Sequence, residues 1–110
     1  MQQLSLTALA REQLQIARAS TSGRSASTVY GGQDHVLRQT LIAIVGGRRL
    51  DEHANPGEVT VHVLHGRVTV VAADNKWHGS AGDLIIVPDS THSLEAVEDA
   101  VVVLTVAKTL

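Results

Sequence analysis

A chain of 110 residues with 44% hydrophobic and 18% charged side chains has the make-up of one globular domain. Its net charge of −2 offers no basic field to nucleic acid or an anionic membrane, and no stretch nears the roughly 18 apolar residues of a membrane span. The lack of cysteine excludes disulfides, zinc–thiolate centres, iron–sulfur clusters and thiol catalysis. Met1–Ser5 carries neither the cationic start nor the apolar stretch of a secretory signal, so a soluble, cytoplasmic protein is expected.

Residues 4–19 form the one helical candidate. Leu6, Leu9, Gln13 and Ile16 fall on one side, several alanines favour helix, and Ser5 or Thr7 can cap the start. The apolar stripe is thin, which suits a helix laid on the outside of a domain or on a partner subunit. Residues 20–27, rich in Ser with one Gly, read as a linker. This divides the chain into a helix and linker over 1–27 and a β domain over 28–110.

From Thr28 the chain reads as short strands between turns. Fifteen valines, no Phe, one Trp and one Tyr favour pleated structure and leave no aromatic platform for stacking nucleobases. Strands are predicted at Thr28–Tyr30, His35–Val45, Arg49–His53, Glu58–Leu64, Arg67–Ala73, Lys76–His78, Leu84–Val87, His92–Val97 and Ala100–Ala107. Asn55-Pro56-Gly57 is a strong turn signal, and Asp74-Asn75 is the expected hairpin turn. Short strands at regular spacing predict an all-β sandwich or barrel.

The six histidines, at 35, 53, 62, 65, 78 and 92, are the evident chemistry. His65 and His78 adjoin glycines at turns and His35 precedes a strand, so all three are expected in solvent. Asp83 after Gly82 is expected to hydrogen-bond within a turn, and Trp77 to anchor a core or an interface. Asp51-Glu52 and Glu98-Asp99 are sequence neighbours. Strand neighbours face opposite sides, so neither pair can act as paired carboxylates. No phosphate loop or Gly-x-Ser-x-Gly elbow is present.

Two stretches carry a family likeness. His53-Ala54-Asn55-Pro56-Gly57-Glu58 with Val63-Leu64-His65-Gly66, and Ala81-Gly82-Asp83 through Pro88 with His92, resemble the two sequence motifs of the cupins. The resemblance spans roughly residues 38–107. It implies a double-stranded β-helix, the jelly-roll cupin barrel, with one short N-terminal α-helix, and it implies a homodimer. The helix and the strand Arg38–Val45 are the expected interface.

In metal-binding cupins the motifs supply two His, a Glu and a further His pointing into the barrel. His53 and His92 occupy the first and last of these places. Asn55 stands where the second His belongs, and Val59 stands at the Glu position with Glu58 one residue away. Such ligands suit a divalent ion, Zn, Fe, Mn or Ni. The family register turns Val59, Val61 and Val63 inward and leaves His62 outside. A one-residue bulge after Gly57 would bring Glu58 and His62 inside with His53 and His92. The alternative without a metal has His53 and His92 bonded to each other, to Asn55 or to water. The functional expectation is a small molecule bound in the barrel, through a metal or, alternatively, in a metal-free dimeric sensing domain. The fold hosts enzymes and binding proteins alike.

Overall fold

We describe the protein from a computed structural model covering residues 1–53, 57–88 and 91–108, with residues 52 and 53 described by their backbone. Among the described residues one helix, α1 (Leu6–Ala19), precedes nine strands. These are β1 (Arg24–Gly31), β2 (Leu37–Ile44), β3 (Arg49–His53), β4 (Gly57–His65), β5 (Arg67–Ala72), β6 (Asn75–Ser80), β7 (Leu84–Val87), β8 (His92–Ala96) and β9 (Ala100–Lys108). They form a five-stranded sheet, β1-β2-β9-β4-β7, and a four-stranded sheet, β3-β8-β5-β6, with every pairing antiparallel.

Side-chain alternation creates two cores. Ile42, Ile44, Val59, Val61, Val63, Val68, Val70, Leu94, Ala96, Val102 and Val106 meet between the sheets. Branched aliphatic side chains fit this pleated, two-sided burial, which is why a barrel with no Phe still closes. The odd-numbered face of β2 points the other way. Leu41 and Ala43, with Val101 and Val103 of β9, are covered by Leu14 and Ala17 of α1.

The helix therefore lies on the outside of the larger sheet, mainly over β1 and β2. Ser5 caps it by accepting the Ala8 amide at 3.2 Å. Its C-terminal end is fixed by Asp99, whose carboxylate accepts Arg18 Nε at 2.8 Å and the Gly46 amide at 2.9 Å. One side chain thus ties helix, β2–β3 turn and β8–β9 turn together. The two hydrogen bonds, first from Gly46 and then from Arg18, hold the Asp99 carboxyl below its ordinary range.

Four expectations change. The stretch 20–27 is not all linker, because β1 begins at Arg24. Its Ser25 and Ser27 pair with Ala43 and Leu41, so small hydroxyl side chains sit beneath the helix, and Ser25 donates to Gln13. The β5–β6 turn uses Ala73-Asp74 instead of Asp74-Asn75, since Ala72 pairs with Asn75 and Ala73 takes a φ of 53°. β2 presents no free apolar face at Leu41 and Ala43, both fully buried under the chain's own helix. Finally, β4 keeps unbroken register from Gly57 to Val63, so no bulge follows Gly57. The bulge lies at the other end of the strand, between Val63 and His65.

Gly66 ends β4 with a φ of 75°, and a Cβ there would lie 2.1 Å from the Asp99 carbonyl oxygen. Among the described residues no helix is long and apolar enough to cross a membrane.

Candidate functional site at one end of the barrel

Both family-motif histidines meet in one rung of the smaller sheet. The backbone of His53, the last residue of β3, pairs with His92, the first of β8, and His92 pairs in turn with Ala72 of β5. Residues 92, 94 and 96 share a face, and Leu94 and Ala96 belong to the inter-sheet core. His92 is therefore on the inner face, and it is only 2% exposed. An imidazole at that depth continues the row that Leu94 and Ala96 form on the inner face of β8. The His53 side chain and Asn55 lie outside the described residues.

The end of β3 and the start of β4 lie at this end of the barrel, as do the end of β7 and the start of β8. The larger sheet contributes Val59, Val87 and Val106 here, through the pairs Val59↔Val87 and Val59↔Val106. The next strand in the same row places Arg38 opposite Val106. Residues 38, 40, 42 and 44 share the inner face of β2, and Ile42 and Ile44 are core. Arg38 and Thr40 are thus half-buried on the concave side, at the same end as His92. Among the described residues the Arg38 guanidinium has no hydrogen-bond or ion-pair partner. Sequence reasoning treated Arg38 only as part of an interface strand. The signal that singles it out is parity with Ile42 and Ile44, which shows only once the inner face is known.

Glu58 and His62 are placed elsewhere. With the valines of β4 inside, Glu58 is exposed and His62 is half-buried on the outer face, where it pairs with Leu84 and Val103. Neither shares a face with His92. Burial of three valines outweighs any gain from turning one His and one Glu inward, which sets the register.

Among the described residues no three His, Asp or Glu side chains are grouped to hold a metal ion. The described donor set at the barrel end is the one imidazole of His92, short of the three protein ligands usual for a catalytic divalent ion. The described residues thus do not by themselves fit a metal, and no chemical step is derived through one.

His35, His65, His78 and Asp83 stand at the surface. His78 is exposed, with Nδ1 3.1 Å from Thr69 Oγ1. Asp83 Oδ2 accepts the Ser80 amide at 2.9 Å, the expected turn bond. His35 and His65 are exposed. Trp77 is 36% exposed and lines a crevice with Leu84, Ile85 and Ile86, where the edges of β6 and β7 approach.

Comparison with known proteins places this geometry. No family model matches the chain, and no curated protein matches it. Solved structures do. A conserved protein of unknown function from Streptococcus pyogenes is 25% identical with a TM-score of 0.74, over 83% of this chain and 79% of that one. An RmlC-like cupin from Desulfovibrio desulfuricans is 23% identical with a TM-score of 0.66, over 76% and 81%. A cupin superfamily protein from Desulfitobacterium hafniense is 15% identical with a TM-score of 0.68, over 77% and 79%. Two antiparallel sheets closed around an aliphatic core, with the motif histidines paired at one end, agree with that likeness. The chain has the fold of a small cupin barrel, with one helix laid on its outside.

Proposed function

We propose that this barrel binds a small molecule at the end where His53 and His92 pair, and that the ligand carries an acidic or hydrogen-bond-accepting group. The observation that carries the reading is His92, an imidazole 2% exposed on the inner face of an aliphatic barrel. Arg38, half-buried on that face with an uncommitted guanidinium, supplies the preference for an acceptor. The reading is one of binding, because fold alone does not fix an activity.

The test is a melting-temperature screen of small carboxylates and phosphates against the untagged protein. A ligand that binds the folded state raises the midpoint in proportion to its saturation. The reading expects hits whose shift disappears in Arg38→Ala and His92→Ala. Hits indifferent to both changes would overturn it.

A divalent ion is the finer form of the same reading. His53, His92 and Asn55 are its candidate donors, and Glu58 and His62 are not. Metal analysis of the untagged protein should then show an ion lost in both His53→Ala and His92→Ala. A second copy of this chain is the partner we infer, in a cytoplasmic setting. The edge strand β7 supports it, with Leu84 60% and Ile86 75% exposed and no charged side chain to protect the edge. Light scattering on Ile86→Lys checks this. The expected result is a dimer converted to monomer, and an unchanged mass would refute the assigned surface.

A further inference from the structure

Outside the barrel, a groove of about 410 Å³ runs between α1 and the outer face of the larger sheet. Leu6, Ala10, Leu14, Leu64 and Val101 provide its apolar floor. Thr7, Arg11, Leu14 and Arg18 recur at helical spacing and form the flank of α1 that overlooks it. The helix sits over β1 and β2 and so leaves this flank uncovered.

The bulge in β4 shapes the opposite wall. Without it, Leu64 and His65 would face opposite sides. With Val63 paired to Val102 and His65 paired to Val101, both His65 and Leu64 reach the outer face and line the groove.

The side chains lining this groove are basic, and the one carboxylate at its margin is that of Asp99, bonded to Arg18. The lining holds Arg11, Arg18 and His65 and no Asp or Glu, although the chain as a whole carries −2. Arg11 has no hydrogen-bond or ion-pair partner among the described residues. Arg18 gives its Nε to Asp99, and its terminal nitrogens have no partner among the described residues. Guanidinium groups beside an apolar trough complement a carboxylate carried on an aliphatic tail. The volume lies within the range of small-molecule sites, about 300–1,000 Å³, which favours a free small molecule over a protein segment.

We propose that this groove is a second binding site, distinct from the barrel end, for a medium-chain aliphatic monocarboxylate. The tail lies on Leu6, Ala10, Leu64 and Val101, and the carboxylate meets Arg11 with Arg18 and His65 beside it.

Decanoate is the probe, titrated into the isotope-labelled full chain and followed by amide chemical shifts. Decanol serves as the uncharged control. The proposal expects saturable shifts confined to residues 6–18, 64–65 and 101, with decanol at least about tenfold weaker. Arg11→Ala, an exposed helical position where Ala preserves the fold, should weaken decanoate about tenfold and leave decanol unchanged. Arg38→Ala should change neither affinity. Decanoate and decanol binding equally, or no saturable binding, would overturn the proposal. Shifts confined to the barrel end, at Ala72 and His92, and lost in Arg38→Ala would also overturn it, while leaving the barrel-end reading intact.

Discussion

Gly66→Ala measures how tightly the barrel corner is built. Two costs separate cleanly at this position. The first is conformational: an L-residue at a φ of 75° is disfavoured by about 1–2 kcal/mol, and stiffening of the unfolded chain returns about 0.4–1 kcal/mol. The second is steric. The new Cβ would meet the Asp99 carbonyl oxygen at 2.1 Å and Ala100 Cα at 3.0 Å, so the corner must move against the start of β9. Asp99 cannot yield freely, because its carboxylate is bonded to the Gly46 amide and Arg18. Loosening those two bonds costs about 0.5–1.5 kcal/mol each. The sum is about 1–4.5 kcal/mol. Gly47→Ala provides the comparison, since its φ of 86° carries the conformational cost and its Cβ would meet nothing within 4 Å. That change should cost about 0.5–1 kcal/mol. Urea denaturation of the two variants reads the difference as a shift in midpoint at constant slope. Equal losses, or a Gly66→Ala loss under about 1 kcal/mol, would refute the steric argument.

Three other outcomes follow from the packing. Ala73→Gly relieves a left-handed residue in the β5–β6 turn and should raise stability by about 0.5–1 kcal/mol, read from the urea midpoint. Leu14→Ala should cost about 2–3 kcal/mol, with hydrogen exchange quickening in α1 ahead of the barrel, because Leu14 seals the helix onto Leu41 and Val103. Asp99→Asn tests the staple through pH. The folded carboxyl titrates below its ordinary 3.8, so ionised Asp99 adds stability at all pH values above that and loses it as pH falls through the folded value. The variant should be less stable than the parent at pH 7 and should converge with it in acid, as followed by thermal unfolding.

Strand positions were legible because each valine-rich run is bounded by Gly, Pro or Asn, and two of the boundaries, Arg49–His53 and Leu84–Val87, coincide with the predicted spans. β1 was shortened in prediction because Ser-Ala-Ser carries no β signal of its own; its strand exists through pairing with β2 and cover from α1. The turn at Ala73 was missed because an alanine with positive φ breaks the local rule that Asn or Gly fills such places. At the candidate site, the rung joining His53 to His92 follows from motif spacing. Arg38 could not be singled out, since its inward parity depends on which face of β2 the helix covers. The Leu64 bulge that turns His65 outward leaves no mark in an alternating pattern ending at a glycine.

On the proposed function, the barrel end bounded by His92 and Arg38 receives a small ligand. Amide chemical-shift mapping of carboxylate and phosphate hits on the labelled protein tests it most directly. Saturable perturbations are expected at Ala72, His92, Ser93 and Arg38, abolished in Arg38→Ala while the fold persists. Perturbations that avoid these residues, or that survive unchanged in Arg38→Ala and His92→Ala, would contradict it.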